Sequence, residues 1–181
     1  MAGLSDHKLA PLISAAQIQD RVREIGRRID SAYPAGAALR LAAVLKGASF
    51  FVADLARAIS RDVSIDFMVV TSYGGGTDST GEVRIVKDLQ HSIAGIDVIL
   101  VEDIVDTGLT VSSLCKLLRS RTPHSLRIAT LLDKPSRRIQ PVDLDFVGFK
   151  IPDKFVVGYG LDYNEQYRNL PDIRSVEFDE R

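Results

Sequence analysis

The residues best suited to chemistry lie in one stretch, VILVEDIVDTGLT, at positions 98–110. An apolar run ends at two adjacent carboxylates, Glu102 and Asp103, and a third, Asp106, precedes a Thr-Gly-Leu-Thr turn. A strand that passes through such a turn into a helix exposes unpaired backbone N–H groups and the positive end of the helix dipole. Its hydroxyls add hydrogen-bond donors, and its glycine allows close approach of a ligand. The predicted phosphate cradle consists of Thr107, Gly108, Leu109 and Thr110.

Three acids beside such a cradle would repel a phosphate unless something offsets their charge. Sugar hydroxyls can donate hydrogen bonds to the carboxylates, or a bound Mg²⁺ can neutralise them. The stretch therefore predicts a sugar-phosphate site. In the alternative interpretation Asp106 only caps the following helix and the other acids are solvated, but the order of residue types is too particular to favour it. The P-loop pattern of spaced glycines and a Lys-Ser/Thr pair is missing.

The elements that must position these residues alternate between strands and helices. A Ser14–Gln17 capping box opens the first helix, and the glycine-rich stretch 73–81 reads as a loop. Alternation predicts an α/β fold with a mostly parallel sheet whose ligands bind beyond the carboxyl ends of the strands. Lys46-Gly47, 102–106 and Asp133-Lys134 should meet there. The predicted helices are 14–33, 48–60 and one from about 109 to before Pro123, and the predicted strands are 41–46, 64–72, 82–89, 96–103, 125–133, 145–150 and 155–160.

Composition narrows the function classes. The net charge of −1 offers no basic field for nucleic acid, and no apolar run is long enough to cross a membrane. The N-terminus shows no signal-peptide pattern. Cys115 is the single cysteine, which rules out an intramolecular disulfide and favours a cytoplasmic location. The three histidines are too far apart in sequence for a metal cluster.

The stretch 98–110 resembles the phosphoribosyl-pyrophosphate motif of type I phosphoribosyltransferases. The resemblance extends from about Leu41 to Leu170 through VLKGASFFVADL, DFMVVTSYGGGTDSTGEVRIVKDL, LLDKPSRR and VGFKIPDKFVVGYGLDYNEQYRNLP. The last of these is similar to the hypoxanthine (hypoxanthine-guanine) phosphoribosyltransferase family. It implies the type I fold, with a mostly parallel sheet flanked by helices, a mobile lid loop at 71–81 and a small hood. A single domain, 1–181, would hold the hood in 1–40 and about 150–181, with residues 1–13 expected to be disordered.

The resemblance also implies roles for the acids and the loop after the first strand. Glu102 and Asp103 would contact the ribose hydroxyls, directly or through Mg²⁺. Asp106 would act as general base or acid at purine N7, a role that requires the site to shift the pKa of its carboxyl towards neutrality. Lys46 and Gly47 would form a pyrophosphate loop that contains a cis peptide in the family. Read alone, that pair would be an ordinary strand-to-helix turn.

Further roles lie on the base side and in the C-terminal stretch. Lys134 would donate to a 6-oxo group, and a cation there disfavours a 6-amino group, which offers no acceptor. Phe155 would stack on the base and the backbone of Val156 would meet its edge. Asp162 would approach a second metal ion and Arg168 would bind pyrophosphate. The lid would begin at the pair Ser72 and Tyr73.

The implied reaction transfers the 5-phosphoribosyl group from phosphoribosyl pyrophosphate to N9 of hypoxanthine or guanine, with Mg²⁺. IMP or GMP and pyrophosphate would be released by a homodimer or homotetramer. One alternative is a regulator of the same fold that binds the sugar phosphate as an effector and acts on nucleic acid. Another is a phosphoacceptor receiver domain. The near-neutral charge argues against the first, and the 155–168 stretch has no use in the second.

Overall fold

The computed structural model describes residues 7–72 and 83–178, and the following bounds apply within these ranges. The elements are β1 (His7–Ile13), α1 (Ala15–Ala32), β2 (Leu39–Leu45), α2 (Ser49–Ala58), β3 (Val63–Ser72), β4 (Val83–Lys87), β5 (Asp97–Val105), α3 (Leu109–Arg119), β6 (Ser125–Asp133), β7 (Phe146–Lys150), β8 (Val156–Val157) and β9 (Ile173–Phe178), with a 3₁₀ turn at Pro135–Arg137.

The main sheet has six strands in the order β4-β3-β2-β5-β6-β7, and every neighbouring pair except β3–β4 is parallel. Helices α1 and α2 pack on one face and α3 packs on the other. The central strand β5 is therefore buried on both faces, which explains its unbroken apolar run. This arrangement confirms the predicted fold class, a mostly parallel α/β sheet flanked by helices.

A second sheet joins the two ends of the described chain. Its antiparallel order is β1-β9-β8, with His7 opposite Phe178. The expectation of disorder in 1–13 is therefore wrong for 7–13, which form β1. The strand predicted at 155–160 is also wrong beyond β8, because Gly158, Tyr159 and Gly160 all have positive φ and leave the extended region. The division of the chain into domain and hood stays a prediction.

The lid prediction falls mostly outside the described residues. Ser72 ends β3, whereas Tyr73 and the residues up to 82 lie outside them, so the lid stays a prediction. Among the helices of the described ranges, none combines the length and apolar character needed to span a membrane.

Candidate functional site

Three turns meet at the carboxyl ends of β2, β5 and β6. The register pairs Val105 with Asp133, and the backbone N–H of Lys134 donates to the Val105 carbonyl at 2.9 Å. On the other side of β5, Gly47 lies so close to Asp103 that a Cβ on the glycine would stand 1.6 Å from Asp103 Oδ2. The three polar features predicted to converge are therefore brought to one edge of the sheet.

The predicted cradle lies where β5 turns into α3. The N-cap of α3 is Gly108 with φ 83°, and no side chain caps the helix. Its first intrahelical bond runs from the Ser112 N–H to the Gly108 carbonyl, so the N–H groups before Ser112 precede the helical ladder. Because Asp106 is not the cap, the alternative interpretation loses its basis. A cavity of about 230 Å³ opens here, lined by Glu102, Ile104, Val105, Asp106, Thr107, Gly108, Thr110 and Val111.

The turn after β6 closes over the cradle. Backbone N–H groups of Ile139 and Gln140 donate to the Thr107 carbonyl at 2.9 and 3.0 Å. A Cβ on Gly108 would stand 2.4 Å from the Gln140 carbonyl oxygen. Both this contact and the positive φ require glycine at position 108.

The acid pair, Glu102 and Asp103, is held in an unfavourable environment. Glu102 is buried, and its Oε1 has no hydrogen-bond partner among the described residues. Burial, and secondly the charge of Asp103, raise the pKa of Glu102 well above its usual value. Burial also raises the pKa of Asp103 to about 6, although its Oδ1 accepts a hydrogen bond from the Ile104 N–H at 2.8 Å. Burial thus disfavours the ionised form of both carboxyls, and the single hydrogen bond to Asp103 does not offset it.

This environment fits a magnesium ion. Mg²⁺ is commonly bound through one or two carboxylates together with oxygens of a phosphorylated substrate. The described ranges, 7–72 and 83–178, contain no cluster of three or more His, Cys, Asp or Glu that could hold a metal ion by itself. The pair Glu102-Asp103, with the buried and unpartnered Glu102 Oε1, matches a site that substrate oxygens would complete.

Two cations stand opposite the acid pair; we call Lys46 and Arg168 the cation pair. Lys46 follows a cis peptide at Leu45–Lys46, so the loop contains the cis bond that the resemblance implied. Glu165 bridges the two cations, at 2.8 Å from Lys46 Nζ and 3.3 Å from Arg168 Nη2. Asp162 Oδ1 lies 2.7 Å from Arg168 Nη2. The Glu165 carboxylate therefore joins Lys46 to Arg168, which is distant in sequence, and Asp162 contacts Arg168 directly.

The loop that carries Asp162 and Arg168 is anchored to α2. The Tyr159 hydroxyl donates to the Asp54 carboxylate, which also accepts from Gln19 at 2.9 Å. Burial and this carboxylate raise the pKa of Tyr159, so the phenol stays protonated. A Cβ on Gly160 would stand 2.1 Å from the Gly47 carbonyl oxygen, so the loop touches the turn after β2.

Two residues predicted to bind the base, Asp106 and Lys134, belong to one series of ion-pair contacts. Asp106 Oδ1 lies 3.2 Å from Arg137 Nε, and Arg137 Nη1 lies 3.5 Å from Asp153 Oδ2. Asp153 Oδ1 lies 3.8 Å from Lys134 Nζ. Lys134 is buried, so it is not the surface lysine that its sequence context alone would suggest. Asp106 and Lys134 are thus connected by two intervening residues.

Phe155 and Val156 lie in the second sheet. The Phe155 ring is 46% exposed and packs edge-on against Tyr163 at 5.6 Å between centroids, and also contacts Phe178. Val156 is buried and pairs with Ser175 of β9. Since Phe155 is about half-exposed, part of its surface is accessible for stacking against a base.

Four residues of the site were not predicted from the sequence. Glu165 and Asp153 each bridge two cations, Arg137 contacts Asp106, and Asp54 anchors Tyr159. Arg137 could have been noticed, because it follows Lys134 closely in the basic LLDKPSRR stretch. The other three carry no local signal, since each reaches at least one of these partners only through the fold.

Comparison with known proteins agrees with this geometry. Residues 14–164 match the model of the phosphoribosyl transferase domain. The chain therefore belongs to the phosphoribosyltransferase family. The names of individual relatives are more specific than that of the family. The chain is 53% identical over 171 residues to the hypoxanthine-guanine phosphoribosyltransferase of Mycobacterium avium, covering 92% of this chain and 84% of the relative.

Solved structures point the same way. A hypoxanthine phosphoribosyltransferase from Staphylococcus aureus superposes with a TM-score of 0.89 at 50% identity, covering 92% of this chain and 90% of the other. The hypoxanthine phosphoribosyl transferase of Trypanosoma cruzi, studied for the role of its C-terminal region in oligomeric state and activity, gives 0.88 at 40% identity. That comparison covers 96% and 95% of the two chains. The match thus extends over nearly the whole of each chain.

Proposed function

We propose that this protein is a purine-salvage enzyme. It transfers the 5-phosphoribosyl group from phosphoribosyl pyrophosphate to N9 of hypoxanthine or guanine, giving IMP or GMP and pyrophosphate. The observation that carries this proposal is the position of the acid pair between a phosphate cradle and the cation pair. A phosphorylated sugar with a pyrophosphate group presents phosphate, hydroxyls and diphosphate in that order. The relatives support the reaction and give no support to a regulator.

Different residues bind the different parts of the ligand. Backbone N–H groups and hydroxyls of 107–110 hold the 5′-phosphate at the positive end of α3. Glu102 and Asp103 accept hydrogen bonds from the ribose hydroxyls. The cation pair neutralises the pyrophosphate and so stabilises it as a leaving group. Departure of that group leaves positive charge on the ribose ring, which the neighbouring carboxylates stabilise.

The base is held on the opposite side of the cradle. Lys134 donates to the 6-oxo group and Asp106 holds or accepts the proton at N7. Phe155 stacks on the ring while the backbone at Val156 meets its edge. A buried ammonium discriminates against a 6-amino group, because that group gives it no acceptor.

Mg²⁺ is the proposed cofactor. Glu102 and Asp103 would hold it, with Asp162 near a second ion, and it would supply positive charge against the phosphate oxygens of the substrate. The buried Glu102 Oε1, which has no hydrogen-bond partner within residues 7–72 and 83–178, and the raised pKa of Asp103 support this part of the proposal.

We also propose a cytoplasmic homodimer or homotetramer. The single cysteine, Cys115, is buried and supports a reducing compartment. The Trypanosoma cruzi relative, whose oligomeric state was studied, supports association. Light scattering coupled to gel filtration would distinguish two copies from four.

The test supplies phosphoribosyl pyrophosphate and Mg²⁺ with hypoxanthine, guanine, xanthine or adenine in turn. IMP and GMP should form and adenine should be a poor acceptor; no product with every 6-oxopurine would refute the proposal. Asp106→Asn should lower kcat at least about a hundredfold, in line with general acid–base catalysis, with little change in the KM for phosphoribosyl pyrophosphate. Equal losses in both would make Asp106 a binding residue only. Asp20→Asn, in an exposed ion pair with Arg23, is the matched control and should behave as wild type.

A further inference from the structure

Asp153 occupies a special place between the two groups assigned to the base. Its Oδ1 lies 3.8 Å from Lys134 Nζ, and its Oδ2 lies 3.5 Å from Arg137 Nη1. Arg137 in turn contacts Asp106 at 3.2 Å. One carboxylate is therefore shared between the cation assigned to the 6-oxo group and the cation that contacts the group assigned to N7.

The burial of Lys134 makes this contact important. The lysine is only 7% exposed, whereas the side chain of Asp153 is 51% exposed. A buried ammonium requires a counter-charge, and Asp153 supplies one from the segment after β7. The other charged groups of this region come from several elements. They are Asp106 after β5, Arg137 in the 3₁₀ turn, and the ion pair between Asp133 at the end of β6 and Arg138 after the 3₁₀ turn.

Arg137 depends on the same carboxylate. It lies between Asp106 and Asp153 and holds an ion-pair contact with each. Without Asp153, only Asp106 of these two would attract the guanidinium. Like charges on Arg137 and Lys134 would then lose the anion that they share. The separation between Asp106 and Lys134 would change as a result.

We propose that Asp153 is a positioning residue that sets the spacing of Asp106 and Lys134 and thereby determines affinity for the 6-oxopurine edge. In a 6-oxopurine, O6 and N7 lie side by side on one edge of the ring, so two groups at a set spacing recognise them together. Asp153 acts through its contacts with Lys134 and Arg137 and is assigned no contact with the reacting atoms. The assignment of Lys134 and Asp106 to O6 and N7 rests on the proposed function.

Steady-state kinetics with Asp153→Asn test the proposal. The KM for hypoxanthine should rise roughly three- to tenfold, as expected for a half-exposed ion-pair partner, while the KM for phosphoribosyl pyrophosphate stays within about twofold. Asp153→Glu should restore part of the loss, and Asp20→Asn should change neither constant. An unchanged hypoxanthine KM, or an equal rise in both constants, would overturn the proposal. Turnover by the wild type tests the proposed function separately, because the positioning effect is the ratio of variant to wild type.

A second measurement needs no substrate. The free protein is treated briefly with an amine-acetylating reagent, and acetylation of Lys134 is quantified by peptide mass spectrometry. Burial and pairing protect this amine in the wild type. Asp153→Asn should raise its acetylation several-fold, whereas Asp20→Asn should leave it unchanged. Equal protection in Asp153→Asn and wild type would show that Asp153 does not hold Lys134 in place.

Discussion

Replacing Asp103 by Asn should stabilise the free protein at neutral pH. The substitution keeps the size of the side chain, and an amide oxygen can still accept the hydrogen bond from the Ile104 N–H. It removes a charge that burial disfavours and that raises the pKa of Glu102. The same residue is assigned to ligand binding, so the variant should be more stable and less active.

The magnitude follows from the pKa of Asp103. The carboxyl titrates near 3.8 in the unfolded chain and at about 6 in the folded protein. Between these values the folded state binds more protons than the unfolded state, so stability falls as pH rises and stays lowered above about pH 6. A difference of about 2.2 units corresponds to about 3 kcal/mol. For a chain of this size that amounts to a rise in Tm of about 6–12 °C.

Thermal unfolding of the metal-free protein between pH 4 and pH 8 provides the assay. The variant and the wild type should have nearly the same Tm at pH 4. The difference in Tm should grow up to about pH 6 and stay constant above it. Asp20→Asn, which alters an exposed ion pair, should show no such opening gap. Coincident unfolding at pH 8, or a gap of equal size at pH 4, would refute the burial argument.

Three further substitutions test the surrounding contacts. Gly47→Ala places a methyl carbon 1.6 Å from the Asp103 carboxylate. The KM for phosphoribosyl pyrophosphate should therefore rise more than tenfold, which exceeds the effect of losing one contact of ~1 kcal/mol. An unchanged KM would show that the turn adapts. Tyr159→Phe removes the hydrogen bond to Asp54 and should cost about 1 kcal/mol in urea unfolding. No loss would mean that this anchor is dispensable. Glu165→Gln releases the cation pair and should tighten inhibition by pyrophosphate roughly two- to fivefold. Weaker inhibition would mean that Glu165 orients those cations.

The main sheet could be predicted from the sequence because its signals are local. Strands and helices of this sheet carry their own apolar periodicity, and β6 was placed at its observed bounds. The second sheet could not, because β1 contains Pro11 and pairs with a strand some 160 residues away. The FVVGYG run was predicted as strand throughout because of its apolar residues. Its glycines, and Tyr159 with φ 50°, turn the backbone instead.

The residues of the site likewise fall into those that the sequence predicted and those that it did not. Residues within the 98–110 stretch were found together because the end of β5 and the turn after it present them all, and the edge of the sheet brings Lys46 and Lys134 beside it. The bridging acids Glu165 and Asp153 went unnoticed. Each is an ordinary acid in sequence. Glu165 gains its second cation, Lys46, only through long-range pairing, and both cations of Asp153 lie on a different turn.

Departures from ordinary protein structure collect at this one edge. Glu102 Oε1 is buried without a hydrogen-bond partner in the described part of the chain, and Asp103 lies against Gly47 with a raised pKa. Tyr159 and Glu165 adopt positive φ in the adjoining loop. Each costs free energy in the unliganded protein, and structural stability alone would favour their replacement. A ligand that brings hydroxyl donors and a cation to the two carboxyls would offset that cost on binding. The unfavourable features of the free protein are therefore complementary to the metal-bound sugar pyrophosphate that we propose as its ligand.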